Sequence, residues 1–444
     1  MSSARREPKL DTAPPRGMRD ILPDEAEIRD FAVTTILGVY RRFGFRRIET
    51  PALESLHFLT GGDGGENEKL IFKVLKRGEK LRSSQTEASD AELADLGLRF
   101  DLTVPLARYF AHNQAKLPYP LKAIQIGPVW RAERPQHGRY RQFTQCDIDI
   151  LGEKSELAEI ELIAATSEAL LALGLHDFRI RLNDRRILIE LARHCGFEDR
   201  AFNSVFIALD KLDKIGLDGV QRELDAAGHA RAAVAKLVEA VRSFTERAGA
   251  GLAALPFYRE GDEPYAGLGR IQAAIEQLAS GYTIEYDPTL VRGMSYYTGP
   301  IFEISYGREA LSIAGGGRYD EMIAKISGRS VPASGFSIGF ERTVAILGAR
   351  RDAGRTSEDR LAILFDPRQT AAADAVRIAR DARRKHDVVL VEVKRKNFSK
   401  QLDDLKAQGI RRYAVLRPGV EDLHLIPLDG EAAAPRPADR PKRP

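Results

Sequence analysis

The sequence predicts an α+β protein of two or three domains, and three observations lead there. Two runs of alternating side-chain character, Ala123 to Trp130 and Tyr140 to Leu151, flank a break at Pro135 and Gly138 and read as the arms of a hairpin. Between about Asn183 and Ser280 the texture changes to Ala-, Leu- and charge-rich segments such as LIELARHCGF and ARAAVAKLVEAVRSF, which suggest amphipathic helices with little strand. Beyond a charged, breaker-rich linker, LAILF, VVLVEV and YAVL alternate with helical patterns, as in a small α/β domain with a largely parallel sheet. At 444 residues the chain is too long for one ordinary core.

Composition narrows the function. Lys and Arg number 68 against 64 Asp and Glu, a formal charge of only +4, so no long-range basic field advertises nucleic acid and any RNA contact must be local. Cys146 and Cys195 have no CxxC partner or His cluster nearby, which argues against a zinc site or a disulfide framework and for free thiols in a reducing cytoplasm. The lead MSSARREPKLDTAPPRG has no apolar stretch of the secretory kind, and no run reaches the length of a membrane span. The expectation is a soluble, cytoplasmic protein.

In chain order, a flexible lead over 1–14 gives way to a helical pattern from Pro23, with Ile28, Phe31, Ala32, Ile36, Leu37 and Tyr40 mostly three or four apart, ending near Phe43 and Gly44. A strand, Phe45 to Thr50, runs into Pro51. The glycine-rich Gly61 to Lys69 lacks the GK[ST] ending of a phosphate loop and reads as mobile. In Leu98 to Phe110, read as an apolar strand, Asp101 costs free energy unless it is paired or faces a site, and Thr103 would share its face; the alternative is an Asp and a Thr capping a turn before Pro105. In the hairpin, strand alternation puts Arg131 and Glu133 on one face, and Gln145, Asp147 and Asp149 on one face of the return strand. Arginines suit phosphate through their planar fork, whereas Asp149 and Gln145 suit an amine or an imidazole.

A helix over Ser155 to Leu173, stopped by Gly174, and a strand over Phe178 to Leu182 precede the helical interval. Strand character returns over Tyr282 to Tyr306, around Arg292, Gly293, Tyr296 and Tyr297. AGGGRYD, Ala314 to Asp320, lets a backbone lie against a ligand or another strand without Cβ interference. Ser334 to Leu347 is a glycine-interrupted strand leading to a helix from about Glu341. In the last domain helices are expected over about Gln369 to Lys385 and Ser399 to Gln408, LHLIPL is a candidate further strand, and 429–444 is a Pro/Ala-rich disordered tail. Residues 359–428 hold fifteen Lys or Arg and ten Asp or Glu, an excess larger than that of the whole chain.

Together these runs resemble a known family. Trp130 to Asp149, with its ERPQ-x-GRYRQF core, resembles the second signature motif of class II aminoacyl-tRNA synthetases, and of the histidyl-tRNA synthetases in particular. The helix and proline-stopped strand after Pro23 are similar to the first motif, and SGFSIGFERTVAIL to the third. RGMSYYTG and AGGGRYD resemble two histidyl-specific motifs, with Ser295 standing where the family often carries Asp.

The resemblance implies a class II catalytic domain over 15–182 and 281–348, an antiparallel sheet flanked by helices. It also implies a helical insertion over 183–280 that covers the acceptor end of tRNA, a linker over 349–358 and a shortened anticodon-binding-like α/β domain over 359–428. It implies ATP-dependent activation of histidine and transfer to tRNA(His), in a homodimer formed through the first motif, with Mg2+ arriving on ATP, no metal held by a protein cluster and no membrane. In that scheme Arg131 and Arg292 are catalytic at the α-phosphate. Arg131, Glu133, Arg139, Phe143 and Arg342 bind ATP, with Gly339 allowing the close approach of adenine. Asp101, Thr103 and Gln145 hold the α-amino group of histidine, and Asp149, Arg292, Tyr296, Tyr297 and Tyr319 complete its pocket. Two further readings stay open: a non-catalytic histidine-binding regulatory subunit of histidine biosynthesis, and a paralogue activating an amino acid for a non-tRNA acceptor.

Overall fold

A proline in the first turn, Asp24 and Glu25 beside it and two arginines in the last turn match the polarity of a helix, and α1 spans Pro23–Arg42. The computed structural model describes residues 11–61, 67–77, 93–134, 139–246, 251–291, 296–307, 310–350, 359–418 and 422–428. The expected glycine-rich loop lies largely outside these residues, as do most of the N-terminal lead, the linker, the tail, Arg292 and Ser295. The chain forms two units, Met1–Ala349 and Arg350–Pro444.

In the first unit, α1 is followed by β1 (Arg46–Arg47), β2 (Leu53–Ser55), α2 (Leu56–Thr60), β3 (Lys73–Leu75), β4 (Ala94–Leu98), α3 (Thr103–Asn113), β5 (Leu121–Trp130) and β6 (Gln142–Leu151). Next come α4 (Leu157–Ala172), β7 (Phe178–Asp184), α5 (Arg185–Cys195), α6 (Phe202–Leu209), α7 (Leu212–Ala226), α8 (Arg231–Glu246) and α9 (Tyr265–Leu278). The unit closes with β8 (Tyr282–Tyr286), β9 (Pro300–Tyr306), β10 (Leu311–Arg318), α10 (Asp320–Ser327), β11 (Ala333–Ile338) and α11 (Phe340–Ala349).

Its main sheet has the order β1-β5-β6-β11-β10-β9-β7-β8. The six inner strands pair antiparallel, and only the two edge pairs, β1 with β5 and β7 with β8, are parallel. Ile36 and Tyr40 of α1, Leu162 and Leu170 of α4, and Ile148, Ile304 and Phe336 of the sheet share one buried core. The helical interval divides: α5, α6, α7 and α8 enclose a core of their own around Leu191, Val205 and Leu237, while Leu268 and Ile275 of α9 bury themselves in the core of the sheet. Cys146 and Cys195 are buried free thiols.

Three local expectations are corrected. The strand expected over Phe45 to Thr50 is reduced to Arg46–Arg47, although Ile48 N still donates to Ile124 O before Pro51 ends the run. The run Leu98 to Phe110 is strand only in its first residue. The Asp101 carboxylate accepts the Val104 N–H, which starts α3, and Pro105 is tolerated in a first helical turn where a central strand would lose a hydrogen bond. The capping alternative is therefore the one the chain adopts, and the shared strand face of Asp101 and Thr103 does not exist. Finally, β5 stops at Trp130, so Arg131 and Glu133 are not alternate residues of a strand; Ala132 N is drawn aside to Leu70 O.

The second unit carries β12 (Arg360–Phe365), α12 (Ala372–Ala382), β13 (Val388–Val393), α13 (Phe398–Ala407), β14 (Arg412–Val415) and the short β15 (Ile426–Pro427). Its sheet runs β13-β12-β14-β15, with β12 parallel to both neighbours and β15 antiparallel.

Candidate active site

The alternation of β6 turns Gln145, Asp147 and Asp149 toward one face of the sheet. The partners across the strand are Gly335 on β11 opposite Asp149 and Ser337 opposite Asp147, with Gln125 of β5 on the other side of Asp147. Glycine is required at 335, because a Cβ there would meet Asp149 Oδ1 at 2.1 Å. Gly316 is equally constrained: its Cβ would come within 2.0 Å of Gly335 O. Gly316 and Gly317 of AGGGRYD thus serve strand-to-strand approach, Gly317 through a Cβ that would meet Pro300 O at 2.7 Å.

Tyr319 follows β10, is buried, and donates its hydroxyl to Asp149 Oδ1 at 2.6 Å. Tyr296 meets Tyr319 edge-on, with ring centroids 5.9 Å apart, and Tyr297 at 4.8 Å; Tyr297 in turn lies against Gly317. Asp147 accepts from Ser337 Oγ and from Gln145 Nε2. Asp101 uses Oδ1 to cap α3. Thr103 is the first residue of that helix.

These groups leave three buried acceptors without a donor among the described residues: Asp101 Oδ2, Gln145 Oε1 and Asp149 Oδ2. Buried polar atoms are nearly always hydrogen-bonded, so orphaned acceptors gathered in one place mark where a ligand rich in N–H groups belongs. Burial raises the Asp101 carboxyl to about 6, against the pull of the Val104 N–H and the Arg131 charge. Burial likewise raises Asp149 to about 7, opposed by the Tyr319 hydroxyl. Asp147 is held well above the carboxylate range by burial and by the neighbouring Asp149.

Farther toward the start of β6, Arg131 lies over the Phe143 ring, 5.1 Å from its centroid, and its Nε donates to Phe100 O. Glu133 and Arg139 pair with each other at 3.6 Å. Arg342 is exposed and donates to Ser312 O at the start of β10, in a register that places it toward the Phe143 end of the sheet. Gly339, expected to admit adenine, is explained by a strand neighbour instead: its N–H donates to Ile313 O, which a Cβ would crowd at 3.1 Å. The site residues thus lie along one line, with Phe143 and Arg131 at one end and Asp149 and Tyr319 at the other; Arg292 lies outside the described residues.

Sequence reasoning gave no role to Asp147, although its alternation with Asp149 was visible. It missed Glu341 as well. That carboxylate accepts from Arg29 Nη1 and Nη2 at 2.7 and 2.9 Å, from Arg19 at 3.2 Å and from Thr144 N at 3.0 Å, tying α1, β6 and α11 together. Burial alone would raise its pKa, yet these donors hold it below the ordinary value. No local signal announces a contact between residues 312 positions apart. Arg318 turns away from the pocket and pairs with the buried Glu159, both hydrogen bonds measuring 2.9 Å.

Comparison with known proteins gives a consistent picture. The profile of a family described as histidyl-tRNA synthetase matches residues 17–343. The histidine–tRNA ligase of Leifsonia xyli subsp. xyli is 45% identical over 416 residues, covering 90% of this chain and 94% of the relative. That of Aeropyrum pernix is 39% identical over 339 residues, covering 74% and 73%. The crystal structure of histidyl-tRNA synthetase from Nostoc sp. PCC 7120 superposes with a TM-score of 0.72 at 26% identity, over 91% of each chain. A Bacillus halodurans structure described as an ATP phosphoribosyltransferase regulatory subunit/histidyl-tRNA synthetase has a TM-score of 0.70 at 22% identity, over 93% of this chain and 99% of that one, and speaks to the fold alone.

Proposed function

The chain belongs to the histidyl-tRNA synthetase family, and from that premise we propose how its residues divide the work. The activity is that of an aminoacyl-tRNA ligase: histidine is joined to tRNA at the expense of ATP. The observation that carries the residue assignment is the set of three orphaned acceptors, Asp101 Oδ2, Gln145 Oε1 and Asp149 Oδ2, around one pocket. Asp101 and Gln145 take the α-ammonium group, and Thr103 stands beside them. Asp149, oriented by Tyr319, accepts from an imidazole N–H, with Tyr296 and Tyr297 as the wall. An apolar amino acid of similar size would leave these acceptors unpaired, which is the source of discrimination.

ATP lies toward Phe143. Its adenine rests on that ring, Arg131 swings from it to the α-phosphate, and Arg292 joins Arg131 there. Glu133, Arg139 and Arg342 complete the nucleotide side. The histidine carboxylate then attacks the α-phosphate in line and pyrophosphate leaves, a step that needs alignment and charge neutralisation more than an acid or a base. Among the described residues no cluster of three or more carboxylate, imidazole or thiol groups offers a resident metal site. Mg2+ would arrive on ATP, held mainly by the nucleotide's own phosphates, and would neutralise charge there.

The homodimer is part of the same reading. Among the described residues no helix is long and apolar enough to cross a membrane. We place the reaction in the cytoplasm, where the free thiols of Cys146 and Cys195 are at home. The regulatory-subunit reading has less support, since the relatives with the higher identity are named as ligases. ATP–pyrophosphate exchange across the twenty amino acids tests the proposal. Exchange dependent on histidine is expected, and its absence would overturn the assignment; adenylate formation without charging of total tRNA would favour the non-tRNA paralogue.

A further inference from the structure

Arg185 opens α5 where β7 delivers the chain to the helical interval. Its N–H donates to Gly299 O, two residues beyond Tyr297, and the preceding Asp184 stands opposite Pro300 in the β7–β9 register. The residue therefore borders the pocket wall from the side of the helices. Its half-buried guanidinium lies over the Phe206 ring, 4.1 Å from the centroid. No acceptor meets that guanidinium among the described residues. Asp184 is committed to Arg186: Oδ1 accepts from the Arg186 N–H and Nε at 2.8 and 2.9 Å, and Oδ2 from Nη2 at 2.7 Å.

Neighbouring arginines are treated otherwise. Arg193 rests on Phe202 in the same manner, with 5.5 Å to the centroid, but pairs with Asp199. Arg181 on β7 pairs with Asp287, Glu303 and Asp213. Among the described residues, Arg185 alone of these three holds its half-buried charge with nothing opposite it, and burial pulls its pKa down. A partly desolvated cation is normally paired, and a guanidinium's planar fork suits the oxygens of a phosphate.

We propose that Arg185 is a binding residue for a phosphate group of one of the reaction's two phosphorylated substrates, at the junction of the pocket and the helical interval. This rests on the synthetase reading above. The two sources are a backbone phosphodiester near the acceptor end of tRNA and a phosphate of ATP, and the assays distinguish them.

The test compares the full-length wild type with Arg185→Gln, Arg185→Met and Arg185→Lys. Methionine keeps the apolar contact with Phe206 without the charge; lysine keeps the charge without the fork. Thermal unfolding checks that each variant folds. For both uncharged variants one KM should rise about tenfold or more, as expected for loss of a charge-assisted hydrogen bond, with lysine intermediate. A rise in the KM for tRNA in charging, with ATP–pyrophosphate exchange unchanged, assigns the tRNA phosphate, and the slope of log KM for tRNA against log salt should then fall by about one. A rise in the KM for ATP during exchange assigns ATP. Unchanged KM values in Arg185→Met, or full recovery of a glutamine defect by methionine, would overturn the proposal and leave Arg185 as packing for Phe206. Failure of the synthetase reading looks different, because then the wild type itself shows no histidine-dependent exchange.

Discussion

Asp149 and Glu341 are both acids shielded from water at the two ends of the same stretch of sheet, and their surroundings are opposite. Glu341 accepts from two arginines and a backbone N–H, and its pKa is held below the ordinary value. Asp149 receives one hydroxyl, keeps Oδ2 without a donor, and is raised to about 7 by burial. A saturated carboxylate is finished within the protein, so it holds elements in place. An unsaturated one is completed only by a ligand, and the free protein bears the cost of keeping it ready. Removing each acid should therefore produce opposite signatures.

The largest effect is expected on the unsaturated side. Asp149→Asn should raise the KM for histidine about a hundredfold, the value of a hydrogen bond to a charged acceptor, while the free protein at pH 8 is no less stable than the wild type. Steady-state exchange kinetics and chemical denaturation check the two halves. A variant that lost stability in step with affinity would break the distinction.

On the saturated side, Glu341→Ala leaves Arg19 and Arg29 with Glu25 as their shared acid and the Thr144 N–H without its acceptor. It should cost about 3 kcal/mol of stability, the usual penalty for breaking one partner of a shielded ion pair. The KM for histidine should stay within about twofold. Denaturation midpoints and exchange kinetics on one preparation decide it.

The pH dependence of the free protein sharpens the same contrast. The folded pKa of Asp149 is raised from 3.8 to about 7 and that of Asp101 to about 6. For an acid whose folded pKa is raised, the stabilising contribution is fully present below the unfolded value and is lost as pH rises through the folded value. The protein without histidine should therefore lose several kcal/mol of stability between about pH 4 and 7, followed by denaturation at a series of pH values. In Asp149→Asn the Asp149 part of that slope should vanish, leaving a shallower decline from Asp101 and Asp147. Stability that rose over this window would contradict the assignment of raised pKa values.

Different parts of this architecture were legible for different reasons. The hairpin could be read because a strand has a period of two, and the alternation of Gln145, Asp147 and Asp149 survives in the sheet. Asp101 was read as a buried acid, which it is, but on the wrong element. An apolar run of about a dozen residues does not reveal whether its acid points from a strand or caps a helix, and Pro105 was the signal that should have decided. Arg131 escaped its strand because Ala132 is recruited by Leu70, a partner distant in sequence. Glu341 and Arg185 were invisible for a deeper reason. What distinguishes them is the presence or absence of partners, and partners belong to the fold.

Tyr319→Phe asks how far one donor moves Asp149 from the unsaturated toward the saturated condition. The phenolic hydroxyl donates to Oδ1 at 2.6 Å, and this hydrogen bond favours the ionised acid against the burial that disfavours it. Removing it keeps the ring against Tyr296 and leaves both oxygens of Asp149 bare. The pKa of Asp149 should move above its value of about 7, so the fall in stability of the histidine-free protein should extend to higher pH than in the wild type. The KM for histidine should rise only about tenfold, since Oδ2, the oxygen proposed to receive the ligand, survives. A role for Tyr319 in packing alone would leave the pH window where it was, and that outcome would remove the hydroxyl from the account of how the pocket is held ready.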